Sequence, residues 1–241
     1  MFARKSDSSA NVYIDQCFPG TIPCETGTTM RKLSPLDHLI GQADAFVKVV
    51  AGQARSTGRP SPGGDDWPHL EEDDRKLSTR LMRVNHAGEV AAQGLYQGQM
   101  LTARNPQIRE HLDQASREEG DHLHWCAQRV HELGGHTSLL GPFWYIGSFG
   151  LGAVAGLAGD AWSLGFIDET ERQVERHLDR HLERLPKSDE TSARILEQMK
   201  QDEVEHGAHA MALGGRPPPW PVRNVLMPLT SGVMTRTAYW I

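Results

Sequence analysis

Ser116 to His131 reads SREEGDHLHWCAQRVH, and this stretch decides the fold because it sets a carboxylate and an imidazole on the apolar side of a helix. Ile108, Leu112, Ala115, Glu119, His122, Cys126, Val130 and Leu133 follow one another in steps of three and four. That spacing is one inward-facing helical stripe. Glu119 and His122 interrupt it three residues apart, and so on the same side. A buried charge is costly unless it is paired or coordinates a metal ion.

The pattern recurs. Ser192, Leu196, Met199, Glu203, His206, Ala210 and Leu213 repeat the stripe, with Glu203 and His206 at the same internal positions. Two further stripes each carry one inward carboxylate: Met82, Asn85, Glu89, Ala92, Tyr96, and Leu164, Ile167, Glu171, Val174, Leu178, Leu182, Leu185. Four helices thus offer Glu89, Glu119, His122, Glu171, Glu203 and His206, in the order E…ExxH…E…ExxH. This is the ligand set of an all-α, ferritin-like four-helix bundle that holds two iron or two manganese ions.

Spacing supports the assignment. Glu89 precedes Glu119 by 30 residues and Glu171 precedes Glu203 by 32, and each pair straddles a break, at Asn105-Pro106 and at Pro186-Lys187-Ser188. About 13 to 16 residues lie on each side of a break, or roughly 20–24 Å of helix. Folded as antiparallel hairpins, the members of each pair come level. Their four negative charges balance two divalent cations.

The 241 residues carry a formal net charge of −6 with 12 histidines, and no basic cluster points to nucleic acid. Cys17, Cys24 and Cys126 show no CxxC spacing, so a reduced compartment is the simplest reading, with Cys126 in the core. Residues 1–29 lack periodicity and the apolar core of a secretory signal. They read as a disordered or mis-assigned N-terminal extension before a natural start at Met30. Residues 30–70 read as a short amphipathic helix, Leu36 to Ala54, and a Pro/Gly-rich linker, STGRPSPGGDDWPH. Residues 71–215 form the bundle, with helices over roughly 72–103 and 106–133, and a last one from near Ser188 to Gly214-Gly215. Residues 216–241 are an apolar tail that packs on the bundle or touches a membrane.

Between the second and third ligand-bearing helices lies an apolar insertion, 139–167. Leu139 to Gly159 holds no charged residue, which invites a transmembrane reading. A single crossing would strand Glu171, Glu203 and His206 on the opposite side, so both ends must emerge on one face. Pro142 and six glycines fit a bent, shallow segment better than a straight span, and Gly152-x-x-x-Gly156 permits close helix contact. Trp144, Tyr145, Phe149 and Trp162 have the character of interfacial anchors. Monotopic attachment is the preferred reading and a buried core helix the alternative.

The strings RVNHAGEVAAQGLYQGQ, EGDHLHW, ETERQVERHLDRHL and DEVEHGAHA resemble the demethoxyubiquinol hydroxylase family of ubiquinone biosynthesis, from Met30 to Ile241. Carried over position by position, that family's metal ligands fall on the same six residues. The resemblance implies a di-iron monooxygenase that uses O2 to hydroxylate the ring of a polyprenylated demethoxyubiquinol. It also implies an electron donor of unstated identity, attachment to the cytoplasmic face of the cell's inner membrane, and contact with other ubiquinone-biosynthesis proteins. A ferritin-like peroxidase or catalase, or an iron-storage protein, would use the same ligands, and an adaptor would pair its glutamates with arginines.

Around the ligands, Asp202, Glu118 and Asp168 are candidate acceptors for the free imidazole nitrogens, though each reads first as a surface charge. Tyr96 either donates a hydrogen bond near the site or packs in the core with its hydroxyl outward. His177 is either close behind the ligands or on the surface. Glu118, Glu169 and Glu205 neighbour ligands but face away in this register.

Overall fold

The computed structural model describes residues 34–64 and 69–241. The readings of residues 1–29 and of a start at Met30 lie outside them, as do Asp65 to Pro68 of the linker. Among the described residues all regular structure is helical: α1 Pro35–Val50, α2 Glu72–Thr102, α3 Pro106–Glu132, α4 Gly141–Leu157, α5 Asp160–Arg184, α6 Glu190–Ala212 and α7 Met227–Ala238, the last entered through a π-helical turn, Val222–Leu226.

Local chemistry sets the boundaries. Ser34 Oγ accepts the Asp37 N–H at 3.2 Å while Asp37 Oδ2 accepts the Ser34 N–H at 2.7 Å, a reciprocal cap that starts α1. Glu72, Asp73 and Asp74 occupy the first turn of α2, where the helix dipole favours them. Asn105 Oδ1 accepts the Gln107 N–H at 2.9 Å and Pro106 fills the first turn of α3. Helix α6 begins two residues after Ser188, because the buried Asp189 is its cap and accepts from Ser192 N–H at 3.0 Å. Gly134 and Gly214, at φ +72° and +97°, turn the chain out of α3 and α6.

Two hairpins, α2–α3 and α5–α6, pack into the ferritin-like four-helix bundle. The inward stripes read from the sequence are buried, except that Ala92, Val174 and Leu182 are half-buried and Leu213, just past the end of α6, is exposed. One apolar layer gathers Met82, Cys126, Val130, Leu178, Leu196 and Met199 from all four helices; another gathers Tyr96, Leu112, Ala115, Leu164, Ile167 and Ala210. Cys126 is a core thiol, its sulfur 3.7 Å from that of Met199.

Helix α4 lies along α2. Gly94 and Gly98 of α2 meet the backbone of Tyr145, Phe149 and Ala153, and Gly152 of α4 meets that of Leu95 and Gln99, so the helices touch main chain to main chain with no room for a Cβ. The Gly152/Gly156 spacing therefore does what close contact requires. Only one side of α4 is covered: Tyr145 is buried while Phe143, Ile146, Val154 and Leu157 are exposed. Among the described residues no helix is long and apolar enough to cross a membrane. The tail packs by Ala238 and Tyr239 onto Val84 and Ala87 of α2 and Trp144 of α4.

Candidate metal centre

Between the two apolar layers each helix turns a polar side chain inward. Helix α2 brings Glu89, α3 Glu119 and His122, α5 Glu171, and α6 Glu203 and His206; none of the six is more than 4% exposed. The i, i+3 spacing on α3 and α6 stacks each glutamate over its histidine, and the two ring centroids stand 6.3 Å apart.

Glu119 and Glu203 are shared. Glu119 directs Oε2 to within 3.2 Å of His122 Nδ1 and Oε1 to within 3.0 Å of His206 Nδ1. Glu203 directs Oε1 to His122 Nδ1 at 3.3 Å and Oε2 to His206 Nδ1 at 3.4 Å. Glu89 Oε2 lies on the His122 side at 3.9 Å. Ligand atoms of Glu89, Glu119, His122 and Glu203 all fall within 4.8 Å of one another, a group that could hold a metal ion. Glu171 lies outside that group, and its Oε1 accepts the buried Tyr96 hydroxyl at 3.0 Å.

Both imidazoles are held from behind. His122 Nε2 is 2.8 Å from Asp202 Oδ2, and His206 Nε2 is 2.7 Å from Glu118 Oε2. A carboxylate at Nε2 keeps a proton there, so that a bound cation would displace the proton of Nδ1 and meet its lone pair. Arg59 Nη2 donates to Asp202 at 2.8 Å.

Burial, reinforced by the charges of Glu119 and Glu203, pushes the Glu89 and Glu171 carboxyls well above the usual carboxylate range. Burial alone would raise Glu119 too, but the close approach of the His122 and His206 rings brings it below its ordinary value. Burial disfavours charge on His122, yet Asp202, Glu119 and Glu203 hold its pKa well above the usual imidazole value. His206 is raised likewise, against burial, by Glu118, Glu119 and Glu203. The donor set fits a pair of divalent cations: four carboxylates and two neutral imidazoles match their charge, and oxygen with nitrogen suits iron, manganese or zinc. Glu203 Oε2 and His206 Nδ1, though fully buried and within ion-pair distance, make no aligned hydrogen bond. Buried polar atoms without a partner call for one.

The neighbours sort plainly. Asp202 and Glu118 back the histidines, whereas Asp168 takes Arg172 at 3.1 Å. Tyr96 turns its hydroxyl inward and not outward. His177 packs on His181, ring centroids 3.9 Å apart. Glu169 is buried but occupied by Gln173 at 3.0 Å and Arg176 at 3.5 Å, and Glu205 is exposed. The ion pairs of the inward glutamates among the described residues are with the two histidines, which leaves the adaptor reading without its arginines. Sequence reasoning named Asp202, Glu118 and Asp168 but read each first as a surface charge, although an acid stands immediately before each ExxH. It passed over Arg59 altogether.

A family described as "Ubiquinone biosynthesis protein COQ7" matches residues 76–238. A 3-demethoxyubiquinol 3-hydroxylase of Nitrosococcus oceani is 57% identical over 212 residues, covering 88% of this chain and 99% of its own. The proteins of that name from Nitrosomonas eutropha and Polynucleobacter asymbioticus are 53% and 51% identical, over 86% and 87% of this chain and 99% and 100% of theirs.

Proposed function

Because the chain belongs to the COQ7 family of ubiquinone biosynthesis proteins, we propose that it is a 3-demethoxyubiquinol 3-hydroxylase, an O2-dependent monooxygenase acting on the ring of a polyprenylated quinol. Its cofactor is a pair of iron ions with Glu89, Glu119, His122, Glu171, Glu203 and His206 as ligands. The observation that carries this reading is the sharing of Glu119 and Glu203 between two histidines in one buried layer. Carboxylates so placed would help hold two cations, with Glu89 and Glu171 completing the donor set.

Bound iron would supply the electrons and Lewis acidity that O2 needs for insertion of one oxygen atom into a C–H bond. The chain's own residues prepare that chemistry. Asp202 and Glu118 keep the Nδ1 atoms inward. The Tyr96 hydroxyl fixes one Glu171 oxygen and leaves the other free to bind. The apolar layers on either side exclude water, which protects a reactive oxidant from wasteful reduction.

The substrate's isoprenoid tail resides in lipid, and the protein's outer surface suits peripheral attachment to the cytoplasmic face of the inner membrane. Exposed apolar side chains cluster on neighbouring elements: Leu36, Ile40 and Val47 on α1, Phe143, Ile146, Val154 and Leu157 on α4, and Trp220, Leu229 and Val233 on the tail. Helix α4 touches α1 on one side and the tail through Trp144 on the other. Apolar patches of this kind mark interaction sites, and a soluble storage cage has no use for them. An electron donor and other ubiquinone-biosynthesis proteins complete the expected partners.

Anaerobic loading with ferrous iron, then O2, a reductant and a demethoxyquinone, tests the assignment by product mass. Gain of one oxygen atom is expected. A loaded protein that consumes O2 without modifying the quinone overturns it.

A further inference from the structure

The segment between Arg55 and Gly64 is a fitted strap across the seam where α3 meets α6. On α3, the Thr57 hydroxyl donates to Asp121, the Gly58 N–H donates to Asp121 Oδ1 at 3.0 Å, and Trp125 Nε1 donates to the Arg59 carbonyl at 3.2 Å. Gly120 lets the Arg55 carbonyl pass where a Cβ would block it. On α6, Arg194 donates to the Gly63 carbonyl at 2.8 Å, and Gly63 sits against Thr191 and Ile195. Gly58, at φ +82°, makes the turn that presents Arg59.

Arg59 is where the two sides join. Its Nε donates to Asp121 at 3.2 Å and its Nη2 to Asp202 at 2.8 Å, while the guanidinium lies 5.0 Å over the Trp125 ring. Asp202 in turn holds His122 Nε2. The other imidazole is backed differently: Glu118, behind His206, has its remaining hydrogen bond from the neutral Gln114 at 2.7 Å. The charge of Arg59 reaches Glu118 only through space.

We propose that Arg59 is a positioning residue of the metal centre: through Asp202 it fixes the ring of His122, so the strap supports the cation on the His122 side more than the one on the His206 side. This inference rests on the reading of the six buried side chains as metal ligands. Partners at this remove from a metal typically change its affinity 10- to 100-fold, and a planar fork shared by two carboxylates is a geometry lysine cannot reproduce.

The test is a cobalt(II) titration of the metal-free full chain, followed by ligand-field absorption, with thermal melting of each variant beside it. In Arg59→Ala one of the two binding steps weakens by roughly 10-fold or more and the other changes little. Arg59→Lys recovers part of the loss, and Lys200→Gln, which removes a half-buried cation paired with Asp179, matches the wild type. If Arg59→Ala does not fold, Arg59→Gln and Arg59→Lys decide by the same two steps. Unchanged steps, or equal weakening of both with a lowered melting temperature, overturn the proposal. A wild-type chain that takes up no cobalt overturns the metal reading, and this inference with it.

Discussion

At the residue scale, a glutamate and a histidine three apart in an otherwise apolar stripe are legible without coordinates, since burying them unaided would be prohibitive. Register is the risk in such a reading, and α5 tests it. Glu171→Ala should lose metal and activity together, whereas Glu169→Ala should keep stoichiometric metal, because Gln173 and Arg176 already occupy that carboxylate; elemental analysis with the hydroxylation assay checks both. What supports the ligands was harder to read. Asp202 reaches a histidine 80 positions away and Glu118 one 88 positions away, and helical periodicity says nothing about contacts between helices. Three histidines outside the centre make a second prediction. Burial, with nearby cationic groups, depresses His86 to about 4 (beside His131 and His124), His177 to about 4 (beside Arg180 and Arg184) and His181 to about 2 (beside His177, Arg184 and Arg180). Each folded-state value lies below the ordinary 6.5, so the unfolded chain binds more protons in that window. Their contribution to stability is full above pH 6.5 and falls as the pH drops toward 4, and urea unfolding across that range should show the slope shrinking in His181→Leu.

At the element scale, the ends of α2 and α3 follow from their acidic first turn, Asn105 and Gly134, residues whose capping chemistry is local. The start of α6 was displaced because a buried aspartate, not the serine before it, closes that helix. The path of the linker was out of reach for a related reason. Its glycines and prolines mark turns correctly, but its fitted path depends on Asp121, Trp125 and Asp202, which composition cannot pair with it. Close passage of α4 over α2 gives the sharpest test at this scale. Gly98→Leu would drive a side chain into the Phe149 carbonyl and the Ala153 nitrogen, 2.8 Å from a Cβ. We expect a loss of about 2 kcal/mol or more, seen as a melting temperature lowered by roughly 4–8 °C. Gly147, with nothing within 4 Å of a Cβ, should tolerate alanine and gain roughly 0.5–1 kcal/mol.

At the scale of the whole molecule, charge-free sequence from Leu139 to Gly159 reads first as monotopic attachment and second as a buried core helix, and α4 has one flank in the bundle and one in the open. If the open flank meets lipid, Phe143→Asp should weaken vesicle binding roughly 10- to 100-fold, the equivalent of one large apolar side chain, while iron content stays unchanged; sedimentation with anionic vesicles measures it. Symmetry is the other molecular feature. Each hairpin contributes one lone glutamate and one ExxH, and the shared carboxylates of each half reach the histidine of the other. On the proposed ligand set each cation would be held from both hairpins, so the ions would serve as rivets between halves already joined by the two apolar layers. A protein nicked between α3 and α5 should then melt at a lower temperature after chelation than when loaded.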